Sequence, residues 1–285
     1  MIALRAGAAE AVVALDMGGG LASLGVAGRP VLWPWSGRTE DGPFALALNL
    51  LAPFSNRIDG GFHFDGRRYD LAPNLAGEPL PIHGDAFQRA WKVAARSGRS
   101  MTLALPDGEF GPFRYAAQVE YSLAPGNLAI TLRLTSRARV PLPYGGGFHP
   151  WFPRSAATRL RFDAAGHWPE DARHLPASKT PEPAPADWRW SEPAPLPAGW
   201  INAGFSDWNG SAEVSQGPDA VSVSLSAHNL TTIILYAPSS EAGFFCLEPV
   251  SHPVNAHNLP GQPGLSKLLP GESLSWSLHL KWSEP

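Results

Sequence analysis

Alternation of apolar and polar residues with a period of two is the feature that most constrains how this chain can fold. The longest such stretch lies near the C-terminus, where polar residues separate Leu274, Trp276, Leu278, Leu280 and Trp282. Shorter stretches of the same kind run through residues 101–105, 128–134 and 221–225. Successive side chains of a β-strand point to opposite faces of its sheet, so this alternation predicts half-buried strands.

Frequent chain breakers exclude long helices. The 285 residues include 29 Gly and 30 Pro, and helical apolar spacing survives only over short turns such as one near residues 85–91. Hydrophobic residues make up 44% of the chain, which is enough to bury a large core. We therefore predict an all-β protein, a large antiparallel β-sandwich with few short helices, in which residues 1–285 form a single domain.

One segment departs from the strand pattern. Residues 168–199 contain eight prolines and no alternation, although Trp188 and Trp190 provide apolar anchors. Such a composition is usual for a linker between domains, but the two tryptophans favour a loop that packs over the edge of the sheet. We call residues 168–199 the Pro-rich excursion.

Charge and terminal sequence limit the partners. The formal net charge is -3 and basic runs are absent, which predicts no binding to nucleic acid or to a membrane surface. Residues 1–15 lack the features of a secretion signal, and no apolar run approaches the ~18 residues of a membrane span, so we expect a cytoplasmic protein. The single cysteine, Cys246, excludes an intramolecular disulfide, and its apolar neighbours predict a buried structural thiol.

Three turn-rich and aromatic-rich segments contain the polar residues best suited to chemistry: residues 49–66 with 81–84, residues 144–152, and residues 245–253. In these segments Arg57 could simply pair with a carboxylate, and His83 and His149 could be hydrogen-bonded core residues. Glu248 follows an apolar strand, where a carboxylate is uncommon without a partner. Each residue therefore keeps a structural and a functional interpretation.

A metal site is one rival use of these groups. His149, His252, His257 and Glu248 could supply imidazole and carboxylate ligands of the cupin type. Their local spacing contains neither H-x-H nor H-E-x-x-H and argues against such a site. The glycine runs at 18–20 and 145–147 do not open a helix, so they do not form phosphate loops.

Taken in order, the motifs resemble those of the aldose 1-epimerases, also called galactose mutarotases. The resemblance covers most of the chain and is strongest at Asn56-Arg57 with residues 61–66, His83-Gly84, residues 147–152 and Glu248-Pro249. It implies a large β-sandwich with a sugar bound in an open cleft, and neither a metal nor an organic cofactor.

The resemblance also implies roles for individual residues. Glu248 is similar to the general base of the family, His149 to its general acid and His83 to its second active-site histidine. Arg57 resembles the arginine that holds sugar oxygens, and the adjacent Asn56 belongs with it in the substrate-binding set. An acid and a base are what anomer exchange requires, because one proton leaves the C1 hydroxyl while another reaches the ring oxygen.

Two further aspects of substrate binding remain open. Trp151 or Trp208 could stack on an apolar sugar face, although core packing would also explain either ring. Asn202 stands where the family has a substrate-binding aspartate, and an amide lacks the charge and donates as well as accepts. Asp207 is close enough in sequence to substitute for that aspartate.

The sequence thus predicts a cofactor-independent isomerase that interconverts the α and β anomers of a free aldose. The expected partner is a monosaccharide, and the chain is expected to be a monomer or a homodimer. One alternative is a hexose-phosphate 1-epimerase, for which only Arg57 and the Arg67-Arg68 pair offer positive charge near the motifs. A second alternative, prompted by Asn202, is a non-catalytic sugar-binding protein of the same fold.

Overall fold

A computed structural model describes residues 1–283 of the chain. The described part contains 22 strands, all of them in antiparallel pairings. They are β1 (Ile2–Ala6), β2 (Ala9–Val13), β3 (Leu21–Val26), β4 (Arg29–Pro30), β5 (Leu48–Leu51), β6 (Gly61–Phe64), β7 (Arg67–Asp70), β8 (Lys92–Arg96), β9 (Ser100–Phe110), β10 (Phe113–Ala124), β11 (Asn127–Ser136), β12 (Leu142–Tyr144), β13 (Gly147–Pro153), β14 (Arg159–Phe162), β15 (Gly166–Trp168), β16 (Ile201–Ser206), β17 (Ser211–Ser215), β18 (Val223–His228), β19 (Thr232–Ala237), β20 (Phe244–Val250), β21 (Ser266–Leu268) and β22 (Ser273–Lys281).

Two large sheets contain most of these strands. The ten-stranded sheet has the order β1-β2-β3-β5-β13-β20-β19-β16-β15, with β4 paired to β3. The eight-stranded sheet has the order β14-β17-β18-β22-β11-β10-β9-β8, and two small sheets pair β12 with β21 and β6 with β7. The predicted all-β antiparallel fold is confirmed. Nothing in this arrangement tests the single-domain prediction, which stays a prediction.

The alternating C-terminal stretch forms the centre of the eight-stranded sheet. In β22, Trp276, Leu278 and Leu280 are buried, and they lie opposite Leu132, Ile130 and Leu128 of β11. One hydrophobic cluster joins these side chains to apolar residues of the ten-stranded sheet. Burial of the apolar face between the two sheets is the reason that the period-two pattern could be read from the sequence.

Helical structure is limited to single 3-10 turns. The described residues contain five of them, at Thr39–Asp41, Pro43–Ala45, Ala86–Gln88, Ala186–Trp188 and Ala256–Asn258. The turn at Ala86–Gln88 lies within the predicted range of 85–91. Within residues 1–283, no helix has the length and apolar character needed to cross a membrane.

Cys246 is fully buried, as predicted, and burial raises the pKa of its thiol well above the ordinary value.

The Pro-rich excursion runs along the edge strands of both large sheets. Its residue Ala194 forms a bridge with Leu160 of β14, and Glu182 forms a bridge with His167 of β15. Trp190 is buried and its ring stacks on Phe162 at 5.4 Å between centroids. Strands β14 and β15 are the outermost strands of their sheets, so the excursion covers backbone edges that would otherwise be unpaired.

Candidate active site

A cavity of about 190 Å³ opens on the ten-stranded sheet, over four neighbouring strands. All seven site residues selected from the sequence line it: Asn56, Arg57, His83, His149, Trp151, Asn202 and Glu248. His149 and Trp151 lie on β13, Glu248 on β20 and Asn202 on β16, with β19 between the last two strands. Pairing of these strands therefore places residues that are about 100 positions apart in sequence against the same cavity.

Three buried groups form the chemical centre of this cavity. Single ligand-type atoms of His83, His149 and Glu248 lie within 4.8 Å of one another, and all three residues are buried. His149 Nε2 is 3.2 Å from Glu248 Oε1, and the two imidazole rings are 5.3 Å apart between centroids. The other carboxyl oxygen, Glu248 Oε2, has no hydrogen-bond partner among the described residues. Its hydrogen-bonding capacity is therefore left for a ligand.

Burial determines where the proton of the His149–Glu248 pair resides. Burial raises the pKa of Glu248 to about 8, although the positive charge of Arg57 opposes the shift. Burial lowers the pKa of His149 to about 3. At neutral pH the carboxyl group of Glu248 therefore carries the one proton that the pair can transfer, and the imidazole of His149 is neutral. Because the two groups are in contact, that proton can cross from one to the other without leaving the cavity.

Hydrogen bonding determines the tautomer of His83. Its Nδ1 accepts a hydrogen bond of 3.0 Å from the backbone N–H of Asn56, so the proton of the neutral ring is on Nε2. Burial, and then repulsion from His149 and Arg57, lowers the pKa of His83 well below its ordinary value. His83 is thus a neutral donor. Both Asn56 and His83 have positive φ angles, of 53° and 58°, which indicates that their backbone is held by the surrounding structure.

The glycine after His83 gives a direct test of that constraint. Gly84 has a φ of +68°, and a Cβ there would lie 2.2 Å from the carbonyl oxygen of Ala52. We expect Gly84→Ala to lower the free energy of unfolding by about 3 kcal/mol or more, measured by urea denaturation, because the clash adds to the cost of a left-handed alanine. Gly66→Ala is the matched control, since Gly66 also has a positive φ but, apart from its chain neighbours, no atom of the described residues lies within 4 Å of the position of an added Cβ. We expect the control to cost only about 1 kcal/mol; equal losses would contradict the clash.

Arg57 is paired inside the cavity. Its Nε and Nη2 donate to Oε1 and Oε2 of Glu78 at 3.0 and 2.6 Å, and the two side chains are only 15% and 14% exposed. The structural interpretation of Arg57 as a partner of a carboxylate is therefore correct, and the same side chain also lines the cavity. Its Nη1 makes one long hydrogen bond, of 3.4 Å, to Asn56 Oδ1, and its second N–H is left as a donor for a ligand. Because Glu78 balances its charge, the cavity wall at Arg57 is close to neutral.

Aromatic rings form another wall. Trp151 stacks on His149 at 5.3 Å, whereas Trp208 is buried outside the cavity and donates to the carbonyl oxygen of Ser211. The stacking role considered for Trp208 is therefore wrong, because its ring belongs to the core. Phe44, which the sequence analysis missed, stacks on His83 at 5.2 Å and meets His149 edge-on at 4.9 Å. Its local sequence, Gly-Pro-Phe-Ala, has no feature that distinguishes a site residue from a turn residue.

The four-residue metal set considered from the sequence does not assemble. His252 accepts from the backbone N–H of Ser55 and donates to the carbonyl oxygen of Pro253, so both ring nitrogens are used. His257 donates to the carbonyl oxygen of Pro143, and neither histidine lines the cavity. His252 and His257 are therefore buried, hydrogen-bonded residues outside the cavity. The three groups that do converge, His83, His149 and Glu248, are a different donor set, one that could hold a metal ion.

Asn202 faces an acidic neighbour that the sequence analysis did not identify. Asp207, considered as a substitute for the family aspartate, is exposed in the turn after β16 and does not line the cavity, so that suggestion is wrong. Instead, Asn202 Nδ2 donates to Glu170 Oε2 at 2.7 Å. Glu170 comes from the Pro-rich excursion, 32 residues earlier in the chain. No local pattern could have connected the two residues.

Known proteins of similar sequence and structure point to the family whose motifs the sequence resembles. A family model described as aldose 1-epimerase matches residues 1–281. The uncharacterized protein YphB of Escherichia coli K12 is 34% identical over 242 residues, which cover 81% of this chain and 83% of that protein. A crystal structure from the same organism, assigned provisionally as an aldose 1-epimerase, has a TM-score of 0.92 at 29% identity and covers 99% of this chain and 98% of its own. A galactose mutarotase-like protein from Clostridium acetobutylicum shares the fold at 20% identity, with a TM-score of 0.86 over 99% of this chain and 95% of its own.

Proposed function

The chain belongs to the aldose 1-epimerase family, and on that premise we propose that it is a cofactor-independent mutarotase that interconverts the α and β anomers of a free aldose. The observation that carries the proposal is the buried contact of 3.2 Å between His149 and Glu248, whose second carboxyl oxygen has no partner among the described residues. The predicted cytoplasmic location, the monosaccharide partner and the monomeric or dimeric state belong to the same proposal.

The proposed reaction uses the single proton of the His149–Glu248 pair. In the reactive form of the pair the proton of Glu248 lies on His149, and the resulting carboxylate and imidazolium attract each other across the contact of 3.2 Å. Glu248 takes the proton of the C1 hydroxyl as general base, and His149 gives its proton to the ring oxygen as general acid. The bond between C1 and the ring oxygen breaks and C1 becomes an aldehyde carbon. Rotation about C1–C2 and the reverse transfers close the ring on the other face and restore both groups.

Neighbouring residues supply the positioning that this sequence of transfers requires. His83 offers a fixed Nε2–H donor, and Arg57 Nη1 offers a second donor to sugar oxygens. Trp151 and Phe44 present ring surfaces to the cavity, where an apolar sugar face can pack. Both proton transfers then act on one orientation of the substrate, which is the main advantage of a shaped site.

The charge of the cavity favours a neutral sugar over a sugar phosphate. Arg57 is the only arginine or lysine that lines the described cavity, and Glu78 already neutralises it through two hydrogen bonds. Arg67 and Arg68, the other positive charges near the motifs, are exposed on β7 and do not line the cavity. A phosphate needs charge-assisted donors that are not already committed to a carboxylate.

Polarimetry on freshly dissolved sugars tests the proposal. We expect the protein to accelerate the approach to anomeric equilibrium of at least one of α-D-galactose, α-D-glucose and L-arabinose over the uncatalysed rate. Catalytic efficiency should be at least about tenfold higher on the free hexose than on hexose 6-phosphate, since the cavity lacks an uncommitted cation. Faster anomerisation of the phosphate would favour the hexose-phosphate epimerase. Sugar binding without acceleration would favour the non-catalytic alternative.

A further inference from the structure

We propose that Glu170, in the Pro-rich excursion, is the positioning residue of a sugar-binding wall formed by Asn202 and Trp200. Glu170 orients Asn202 so that the amide carbonyl of Asn202 accepts a hydrogen bond from a sugar hydroxyl. Glu170 also fixes Trp200 as a stacking surface. The proposal rests on the function proposed above and names the part of the site that determines affinity. The ligand that this wall recognises is a neutral sugar with one hydroxyl donor beside an apolar C–H face.

A turn across residues 170–176 places Glu170 beside residues that line the cavity. Glu170 and Pro176 form an isolated antiparallel bridge, which closes the turn across residues 170–176. Asp171 Oδ1 accepts hydrogen bonds from the backbone N–H groups of Arg173 and Leu175, at 2.8 and 3.0 Å. Arg173 also forms a salt bridge with Asp59, two residues after Arg57. The excursion is thus tied to the segment that carries Arg57.

Among the described residues, the carboxylate of Glu170 contacts three side chains, each of which lines the cavity. Its Oε2 accepts from Asn202 Nδ2 at 2.7 Å and lies 2.9 Å from His174 Nδ1. Its Oε1 accepts from Trp200 Nε1 at 2.7 Å. The carboxylate itself does not line the cavity. A carboxylate that bonds only to the residues in front of it acts on a ligand through them.

The contact with Asn202 determines which end of the amide is available to a ligand. A carboxylate is an acceptor, so it selects the amide orientation with Nδ2 toward Glu170. The carbonyl oxygen Oδ1 is then the atom left for a ligand in the cavity. A sugar hydroxyl therefore meets an acceptor, as it would at an aspartate. The negative charge of the missing aspartate is retained one hydrogen bond farther away, on Glu170.

The contact with Trp200 explains an unusual surface residue. Trp200 lines the cavity although 48% of it is exposed, and its ring packs edge-on against Tyr236 at 5.2 Å and lies 5.6 Å from His174. An exposed tryptophan without a tether would sample several rotamers. Because Glu170 holds the indole N–H, the apolar ring face is fixed at the cavity, as stacking on sugar C–H groups requires.

Exchanging the carboxylate and the amide between the two positions provides the test. We expect Glu170→Ala to raise the dissociation constant for the sugar about tenfold or more, while kcat changes less than threefold, since hydrogen bonds of this kind contribute about a factor of ten. Asn202→Asp alone should also weaken binding, because it places two carboxylates in contact. The double variant Glu170→Gln, Asn202→Asp should restore the dissociation constant to within about threefold of wild type, since the amide introduced at position 170 can donate to the carboxylate introduced at position 202.

The dissociation constant is measured calorimetrically with D-galactose and D-glucose that have already reached anomeric equilibrium, so no net reaction occurs. Glu182→Gln is the matched control, because Glu182 is an exposed glutamate of the same excursion that does not line the cavity, and we expect wild-type affinity. Unchanged affinity in Glu170→Ala, or a double variant weaker than both single variants, would overturn the proposal. A wild-type protein that binds but does not accelerate anomerisation would refute only the mutarotase function, because the rescue is measured on binding.

Discussion

Replacing Glu248 with glutamine is expected to lower kcat for anomer exchange by about 10³- to 10⁴-fold while leaving the protein folded. Glutamine has the same shape, and its amide can keep the contact with His149 Nε2 that is 3.2 Å long in the wild type. It has no proton to exchange, so the pair loses its base and its single transferable proton together. Polarimetry at matched protein concentration measures the loss, and circular dichroism confirms the fold.

The pH profile distinguishes this chemistry from a merely structural effect. The pair is active with one proton and inactive with none, so kcat/KM of the wild type should fall as the pH rises through about 8, where Glu248 ionises. Any residual activity of Glu248→Gln should not show this fall near pH 8. Glu213→Gln, at a half-exposed position of β17 outside the cavity, should retain both the rate and the fall of kcat/KM near pH 8. A Glu248→Gln variant with near-normal kcat would exclude the proposed base.

Features set by local sequence were predictable. The strands with clean alternation were found because one face of each is buried, and the site residues were found because their motifs lie at turns and strand ends in a recognisable order. His149 and Glu248 are adjacent in space because β13 pairs directly with β20. That pairing brings together the two most specific segments of the sequence.

Features set by long-range contacts were not predictable. Phe44 reaches the cavity from a 3-10 turn and Glu78 from a loop, and neither sequence differs from that of an ordinary turn. The pairing of Glu78 with Arg57 spans 21 residues. Asn202 was identified as a departure from the family pattern, but its partner Glu170 lies in a segment that sequence alone describes only as rich in proline. Proline fixes the backbone locally and carries no information on which distant side chain a loop will meet.

The histidines buried around the site should make the fold sensitive to mild acid. Burial lowers the pKa of His149 and His257 to about 3 and that of His252 to about 4, and it also lowers the pKa of His83. Below the ordinary value of 6.5 the unfolded chain binds protons at these positions and the folded chain does not, so stability is lost as the pH falls from about 6.5. The raised pKa values of Glu248 and Asp85 act in the opposite direction, because there the folded state holds the extra proton.

Between about pH 7 and pH 5, the stability lost through the four imidazoles is larger than the stability gained through these carboxyls. We expect the free energy of unfolding, measured by urea denaturation, to fall by about 4 kcal/mol over that interval, a large part of the stability of an ordinary domain. His257→Gln should flatten this dependence by about 1 to 2 kcal/mol, even if it lowers stability at neutral pH, because an amide can still donate to the carbonyl oxygen of Pro143 but does not titrate. The same change at exposed His63 should leave the slope unaltered. A stability independent of pH over this interval would mean that the folded and unfolded chains bind the same number of protons, which would contradict the excess expected on the unfolded chain.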